Sequence, residues 1–84
     1  MEPSITFRTI TITADEGDQE GRLVLQDEKL IAVLVRLASA PRGGRSNWLL
    51  AAGFGPCAGR TEMFRHLAFA RRWVHRRLAD QLET

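Results

Sequence analysis

The chain of 84 residues has little of several residue types on which common protein chemistries depend. It contains one cysteine, two histidines, no tyrosine and a single lysine. One cysteine cannot form an internal disulfide, which excludes a disulfide-stabilised secreted fold and is typical of a reducing compartment. The longest apolar run, residues 30–35, is far shorter than the roughly 20 residues that cross a bilayer, and the N-terminus lacks a signal-peptide layout. These absences predict a cytoplasmic protein without a membrane segment.

The few reactive side chains do not form a recognisable catalytic or metal site. His66 and His75 are nine positions apart, which places them about 180° apart around a helix, so no single helical face presents both to a metal. Cys57 would need a nearby histidine to act as a nucleophile, and a cysteine after a turn is more often a small packed hydrophobe. No carboxylate pair stands out for acid–base chemistry. The sequence predicts a protein that is not an enzyme, with no metal, no cofactor and no evident small-molecule substrate.

Three of the seven glycines fall in one nine-residue stretch, AAGFGPCAG. Gly53, Gly55 and Gly59 superficially match a dinucleotide-binding loop, but that motif requires a helix beginning inside the glycines, within a βαβ unit. Pro56 follows the second glycine, and the only lysine, Lys29, lies upstream, which excludes a Walker-type phosphate loop. The stretch instead predicts a strand end and a turn, where Gly53 and Gly55 supply a positive φ or a bulge.

Alternating apolar and β-branched residues predict four strands, and a periodic apolar stripe predicts one helix. The strands cover about residues 5–13, 22–26, 30–38 and 47–54, and the helix covers about 66–82. A short polar turn joins the second and third strands, and residues 63–65 are predicted to extend briefly before the helix. The sequence therefore predicts a single α+β domain over residues 1–84. It is a three- to four-stranded antiparallel β-sheet with one C-terminal α-helix packed on one face.

The alternation of apolar residues is irregular in two of the predicted strands. In the first strand Ile5 and Phe7 point to one side, whereas Ile10 and Ile12 point to the other, and a β-bulge or a two-sided environment would explain this change of phase. The third strand is apolar on both faces until Arg36, which predicts a central position in the sheet.

The helix is predicted to carry a second set of large side chains away from its apolar stripe. At 100° per residue, Phe69 and Trp73 fall on or near the side opposite Leu67, with Arg72 and Arg76 beside them. Aromatic residues and arginines are enriched at interface centres, so this outer helix face predicts a surface for a protein partner or a second copy of the chain. Two alternatives stay open. Another segment covers the aromatics, or Trp73 only widens the core while the arginines offset the helix macrodipole.

The distribution of charge favours a second hypothesis, binding to nucleic acid. The net charge is +2, yet residues 1–28 sum to −5 and residues 29–77 to +9. Either the two parts face and neutralise each other, or the basic part binds an acidic partner. The arginines predicted to contact nucleic acid lie in the third strand, the following loop and the helix: Arg36, Arg42, Arg45, Arg71 and Arg77.

Three segments, LIAVLVRL, WLLAAGFGPC and MFRHLAFARRWVHRRL, resemble a type of small uncharacterised proteobacterial protein. Such proteins have no established activity, so the resemblance implies the order of elements, with a helix start near His66. The strand–strand–strand–helix order also resembles the AP2-type and integrase-arm DNA-binding domains, which read the major groove with a sheet face that presents arginines and aromatics. Here only Arg36, Arg22 and Trp48 could play that part, and similar topology does not imply function.

Overall fold

The computed structural model describes residues 4–13, 17–37 and 47–82. The strands are β1 (Ile5–Ile12), β2 (Gln19–Gln26), β3 (Lys29–Leu37), β4 (Asn47–Gly53) and β5 (Met63–Phe64). A single 3₁₀ turn (Gly55–Cys57) follows β4, and the helix α1 (Leu67–Leu82) ends the described part. The predicted loop arginines Arg42 and Arg45 lie outside the described residues.

The strands form one antiparallel sheet in the order β1-β2-β3-β4-β5, so each strand pairs with its neighbour in sequence. The predicted antiparallel sheet with one C-terminal helix, an α+β fold, is therefore confirmed for the described residues. The predicted count of three to four strands is wrong, because β5 makes five. Only two residue pairs hold β5, Trp48 with Phe64 and Leu49 with Met63, and such a short strand leaves almost no alternating pattern to read.

The hairpin between β2 and β3 turns on two residues, Asp27 and Glu28, with φ values of +51° and +70°. Two positive φ values match the turn type whose twist suits a two-residue hairpin. The backbone N–H of Asp27 donates to the carbonyl of Ser4 at 3.0 Å, which ties the turn to the start of β1. β2 begins at Gln19, three residues before its predicted start, because the polar pair Gln19 and Glu20 continues the ladder with β1.

The core lies between one face of the sheet and the helix. Its buried members are Val24, Ile31, Ala32, Leu34, Trp48, Leu50, Cys57, Phe64, Ala70, Val74 and Leu78. Ile5 and Phe7 pack against this cluster from β1. Strict alternation would place Ile31 on the opposite face, with Val33. A register shift between Val24 and Leu25 leaves Ile31 without a partner on β2, and this irregularity lets it enter the core.

The helix buries the stripe that its spacing predicts. Ala70, Val74 and Leu78 are buried, and Leu67 packs at their edge. Full burial of a valine or leucine side chain contributes about 1.5–3 kcal/mol, so this stripe is what holds α1 to the sheet. The helix begins at Leu67, and the carbonyl of His66 accepts the backbone N–H of Phe69 at 3.1 Å.

Candidate protein-interaction groove on the helix

The four residues predicted for the outer helix face lie together around one groove. Arg72, Arg76, Phe69 and Trp73 of α1 line it with Phe64 of β5, and its volume is about 280 Å³. Phe64 is not among the residues that the sequence predicts for this surface. The indication in the sequence was the short extended run before the helix. In the structure, Phe64 of this run lies on the face of the sheet that α1 covers. The groove therefore lies along the flank of the helix, where α1 meets the edge strand.

Aromatic rings form the floor and one wall of the groove. The rings of Phe64 and Trp73 are 5.7 Å apart between centroids and inclined by 55°, a favourable arrangement for aromatic pairs. Trp73 is half-buried and packs against the core, so it widens the core and lines the groove at once. Phe69 stands farther out, with 46% of its surface exposed and the ring of His66 5.6 Å away. One aromatic ring of the groove is thus left in water.

Two arginines border the aromatic rings. Arg72 and Arg76 are exposed and one helical turn apart. Neither makes an ion pair or a side-chain hydrogen bond with the described part of the chain. A guanidinium binds a carboxylate through two parallel N–H donors, and its plane also stacks on aromatic faces. The groove combines an apolar floor with two cations that have no described partner.

Three of the arginines predicted to contact nucleic acid lie in the described part of the chain, and each contacts another group of the protein. Arg36 donates to Glu20 at 2.9 Å, and Arg71 lies over the ring of Phe7, 4.5 Å from its centroid. Arg77 donates its Nε–H to the carbonyl of Pro56 at 3.0 Å and lies within 4.0 Å of Asp80. Each of the three therefore has a role within its own chain. Arg42 and Arg45 lie outside the described residues.

A charge cluster joins β2 and β3 at one end of the sheet. Glu20 pairs with Arg22 at 2.7 Å and with Arg36 at 2.9 Å, and Arg22 lies over the ring of Trp48, 5.0 Å from its centroid. Hydrogen bonds from Arg22 and then Arg36 lower the pKa of the Glu20 carboxyl below its ordinary value. The Glu20–Arg36 pair is a contact between the acidic and the basic parts of the sequence. The cluster thus links two neighbouring strands through ion pairs at the surface.

Cys57, which lies in the glycine-rich stretch, has a structural role. Cys57 is fully buried within the core cluster. Burial raises the pKa of its thiol, and the charge of Arg77 opposes that rise only in part. A thiol that is buried and hard to ionise is a poor nucleophile.

In the described ranges, no group of histidine, cysteine and acidic side chains is arranged to hold a metal ion.

Comparison of this chain with protein-family models, with curated proteins and with solved structures finds no match. The resemblances to small proteobacterial proteins and to integrase-arm domains therefore stay predictions. Over the residues that the structure describes, no helix combines the length and apolar character needed to cross a bilayer.

Proposed function

We propose that this chain is a non-enzymatic, cytoplasmic protein-interaction module that uses the aromatic–arginine groove of α1. The groove, lined by Phe64, Phe69, Arg72, Trp73 and Arg76, would hold a segment of a protein partner that carries carboxylates beside an apolar side chain. One observation supports this most directly. An exposed phenylalanine stands beside two arginines that have no ion-pair partner in the described part of the chain.

The groove is small. Its volume of about 280 Å³ is close to the lower end of the range of roughly 300–1,000 Å³ that is typical of small-molecule pockets. An apolar side chain from a partner would cover Phe69 and the accessible part of Trp73. Since burial of a large apolar side chain contributes about 1.5–3 kcal/mol, the aromatic contacts would provide most of the affinity.

The two arginines would select the partner by charge. Side chains four positions apart on a helix have Cβ atoms roughly 5–6 Å apart, so Arg72 and Arg76 can hold neighbouring carboxylates of one segment. Both are exposed, and solvent-exposed ion pairs contribute only about 0.2–1 kcal/mol each. They would therefore favour acidic segments over basic ones while adding modest affinity.

Binding to nucleic acid has weaker support. The helix arginines Arg71 and Arg77 and the strand residue Arg36 already contact other groups of the chain. A phosphate would have to compete with those contacts. Nucleic-acid binding through about five phosphates would also give a slope of log K against log salt near −4. That dependence on salt is much steeper than the one expected from two exposed ion pairs of Arg72 and Arg76 with a protein partner.

Fluorescence anisotropy with two labelled peptides tests the proposal. One peptide has a phenylalanine flanked by acidic residues, and the control peptide has alanine in place of that phenylalanine. We expect the first to bind more tightly, and the variant Arg72→Glu/Arg76→Glu to bind it at least ~10-fold more weakly, which corresponds to about 1.4 kcal/mol. The matched control Lys29→Glu/Arg60→Glu makes the same charge change at two exposed positions outside the groove, and should stay within about twofold of the native protein.

Equal weakening by the two double variants would show that net charge alone attracts the peptide, which contradicts a defined groove. Tight binding of a labelled oligonucleotide with a salt slope near −4 would favour the nucleic-acid hypothesis instead.

A further inference from the structure

The face of the sheet that points away from α1 is apolar. Antiparallel residue pairs that lie directly opposite share a face, and residues two apart along a strand share it too. The register places Ile10, Gly21, Val35, Leu49 and Met63 in one row across all five strands. The buried Leu25 and the exposed Leu30 share this face near the hairpin. We call the other large apolar side chains of this face the sheet-face patch: Ile10, Ile12, Leu23, Val33, Val35, Leu37, Leu49 and Met63.

The sheet-face patch is separate from the core. None of its members belongs to the buried cluster between the sheet and α1 or to the side chains that pack against that cluster. All are half-buried or exposed, and Met63 keeps 57% of its surface in contact with water. The helix of the described part lies on the other face, where Ala70, Val74 and Leu78 pack. A soluble monomer rarely leaves an apolar face of this extent uncovered.

We infer that a second copy of this chain covers the sheet-face patch, so that two sheets pack face to face in a symmetric dimer. The area is sufficient. Four strands of seven to nine residues, at about 3.3 Å per residue and 4.8 Å between strands, give roughly 500 Å² of projected face per chain. Contact between two such faces would remove at least roughly 1,000 Å² of surface from water, which is the extent that specific interfaces need. The uneven surface of the side chains increases this buried area.

The chemistry of the sheet-face patch fits a copy of itself. Arg8 pairs with Leu23 in the register and therefore brings one charge to this face, but it lies on the edge strand β1, where it can reach solvent. The middle of the face, around Leu23, Val33 and Val35, contains only apolar side chains. A two-fold axis brings the same surface of each chain together, and two apolar sheets pack about 10 Å apart with interdigitating side chains.

This inference is independent of the proposed function, because the groove of α1 lies on the opposite side of the sheet and stays accessible in such a dimer. The two proposals can therefore fail separately.

Sedimentation velocity of the full chain near 100 µM tests the inference. We expect a mass of about 19 kDa, twice the 9.4 kDa of one chain. Val35→Lys, at the middle of the patch, should weaken the dimer by ~30-fold or more. A lysine at the half-buried position of Val35 also opposes folding, so Met63→Lys is the second test, since the native side chain is already 57% exposed. It should weaken the dimer by about 10-fold and leave the circular dichroism spectrum unchanged.

The matched control is Phe69→Lys, which places the same charge at a 46% exposed position in the groove of α1. We expect it to leave the mass at that of a dimer. A native protein that sediments as a monomer would overturn the inference. So would a dimer that Phe69→Lys dissociates and Met63→Lys does not, because the contact would then belong to the helix.

Discussion

Gly53 is the residue of the glycine-rich stretch that the fold needs most. The 3₁₀ turn folds back across the end of β4, and a Cβ atom built on Gly53 would overlap the carbonyl oxygen of Cys57 and lie 2.7 Å from its carbonyl carbon. Gly55 and Gly59 adopt positive φ values of +55° and +73° but have open space around them. The three glycines thus serve two different needs, close backbone approach and a left-handed conformation.

We predict that Gly53→Ala destabilises the protein by ~3 kcal/mol or more, because the backbone of Cys57 cannot move without disturbing the core. Gly55→Ala should cost about 1–2 kcal/mol, since only the φ of +55° opposes the added methyl group. Urea unfolding of both variants, followed by circular dichroism, measures the difference. Equal midpoints for the two variants would contradict the close contact between Gly53 and Cys57.

Glu20 should make stability depend on pH. Hydrogen bonds from Arg22 and Arg36 lower its pKa in the folded state, so its stabilising effect is complete above the unfolded value, about 4.3. That effect is lost as the pH falls through the lower folded value. We predict that Glu20→Gln is less stable than the native protein at pH 7 and that the difference shrinks on acidification to about pH 3. Thermal unfolding from pH 7 to 3 measures it, and a difference independent of pH would contradict the prediction.

At the scale of elements, the β2–β3 hairpin has one residue that does not suit its turn. Asp27 and Glu28 both adopt the left-handed conformation; aspartate is common at the first position of such a turn, whereas glycine is usual at the second. Asp27 has a compensating contact, because its Oδ1 accepts the backbone N–H of Ser4 at 3.2 Å. Glu28 is exposed, with a φ of +70°, so the turn carries its strain mainly there.

We predict that Glu28→Gly stabilises the protein by about 0.5–1 kcal/mol, because relief of the left-handed strain outweighs the greater freedom of glycine in the unfolded chain. Asp27→Gly is the matched control. It relieves the same kind of strain but removes the hydrogen bond to Ser4, so it should gain less. Denaturant titrations of the two variants compare them, and a loss of stability in Glu28→Gly would be inconsistent with a strained turn.

The sequence predicted the elements with strong periodicity and missed those set by tertiary contacts. The change of phase in β1 left a bulge and a two-sided environment open, and the uninterrupted register with β2 places Ile5 and Phe7 on one face and Ile10 and Ile12 on the other. The position of Ile31 depends on a register shift that alternation cannot show. Phe64 lies in a two-residue strand, and only its pairing with Trp48 brings it to the groove.

The four groove residues of the helix could be predicted because they share one helix, where spacing fixes their relative positions. The exposure of Trp73 could not be predicted from the sequence, since it depends on the position of the ring of Phe64, whose centroid lies 5.7 Å from that of Trp73. Of the predicted nucleic-acid arginines, Arg36 in β3 and Arg71 and Arg77 in α1 have contacts that only the tertiary structure sets: the sheet register, the packing of α1 on β1 and the path of the 3₁₀ turn.

At the scale of the whole molecule, the two faces of the sheet have different uses. One face packs against α1 and forms the core, with the groove at its edge. The other presents the sheet-face patch. A dimer through that patch would carry two grooves facing outward, which would let one dimer hold two acidic segments of a partner and gain avidity from their linkage.

The proposed groove is tested most directly by nuclear magnetic resonance, because the chain has two tryptophans and therefore two indole N–H signals. Trp73 lines the groove, whereas Trp48 is only 6% exposed and is covered by Arg22. Trp73→Phe assigns the two signals. On titration with the acidic phenylalanine peptide, we predict that the Trp73 signal shifts and saturates while that of Trp48 stays in place. A stationary Trp73 signal at millimolar peptide, or a shift confined to Trp48, would contradict the account.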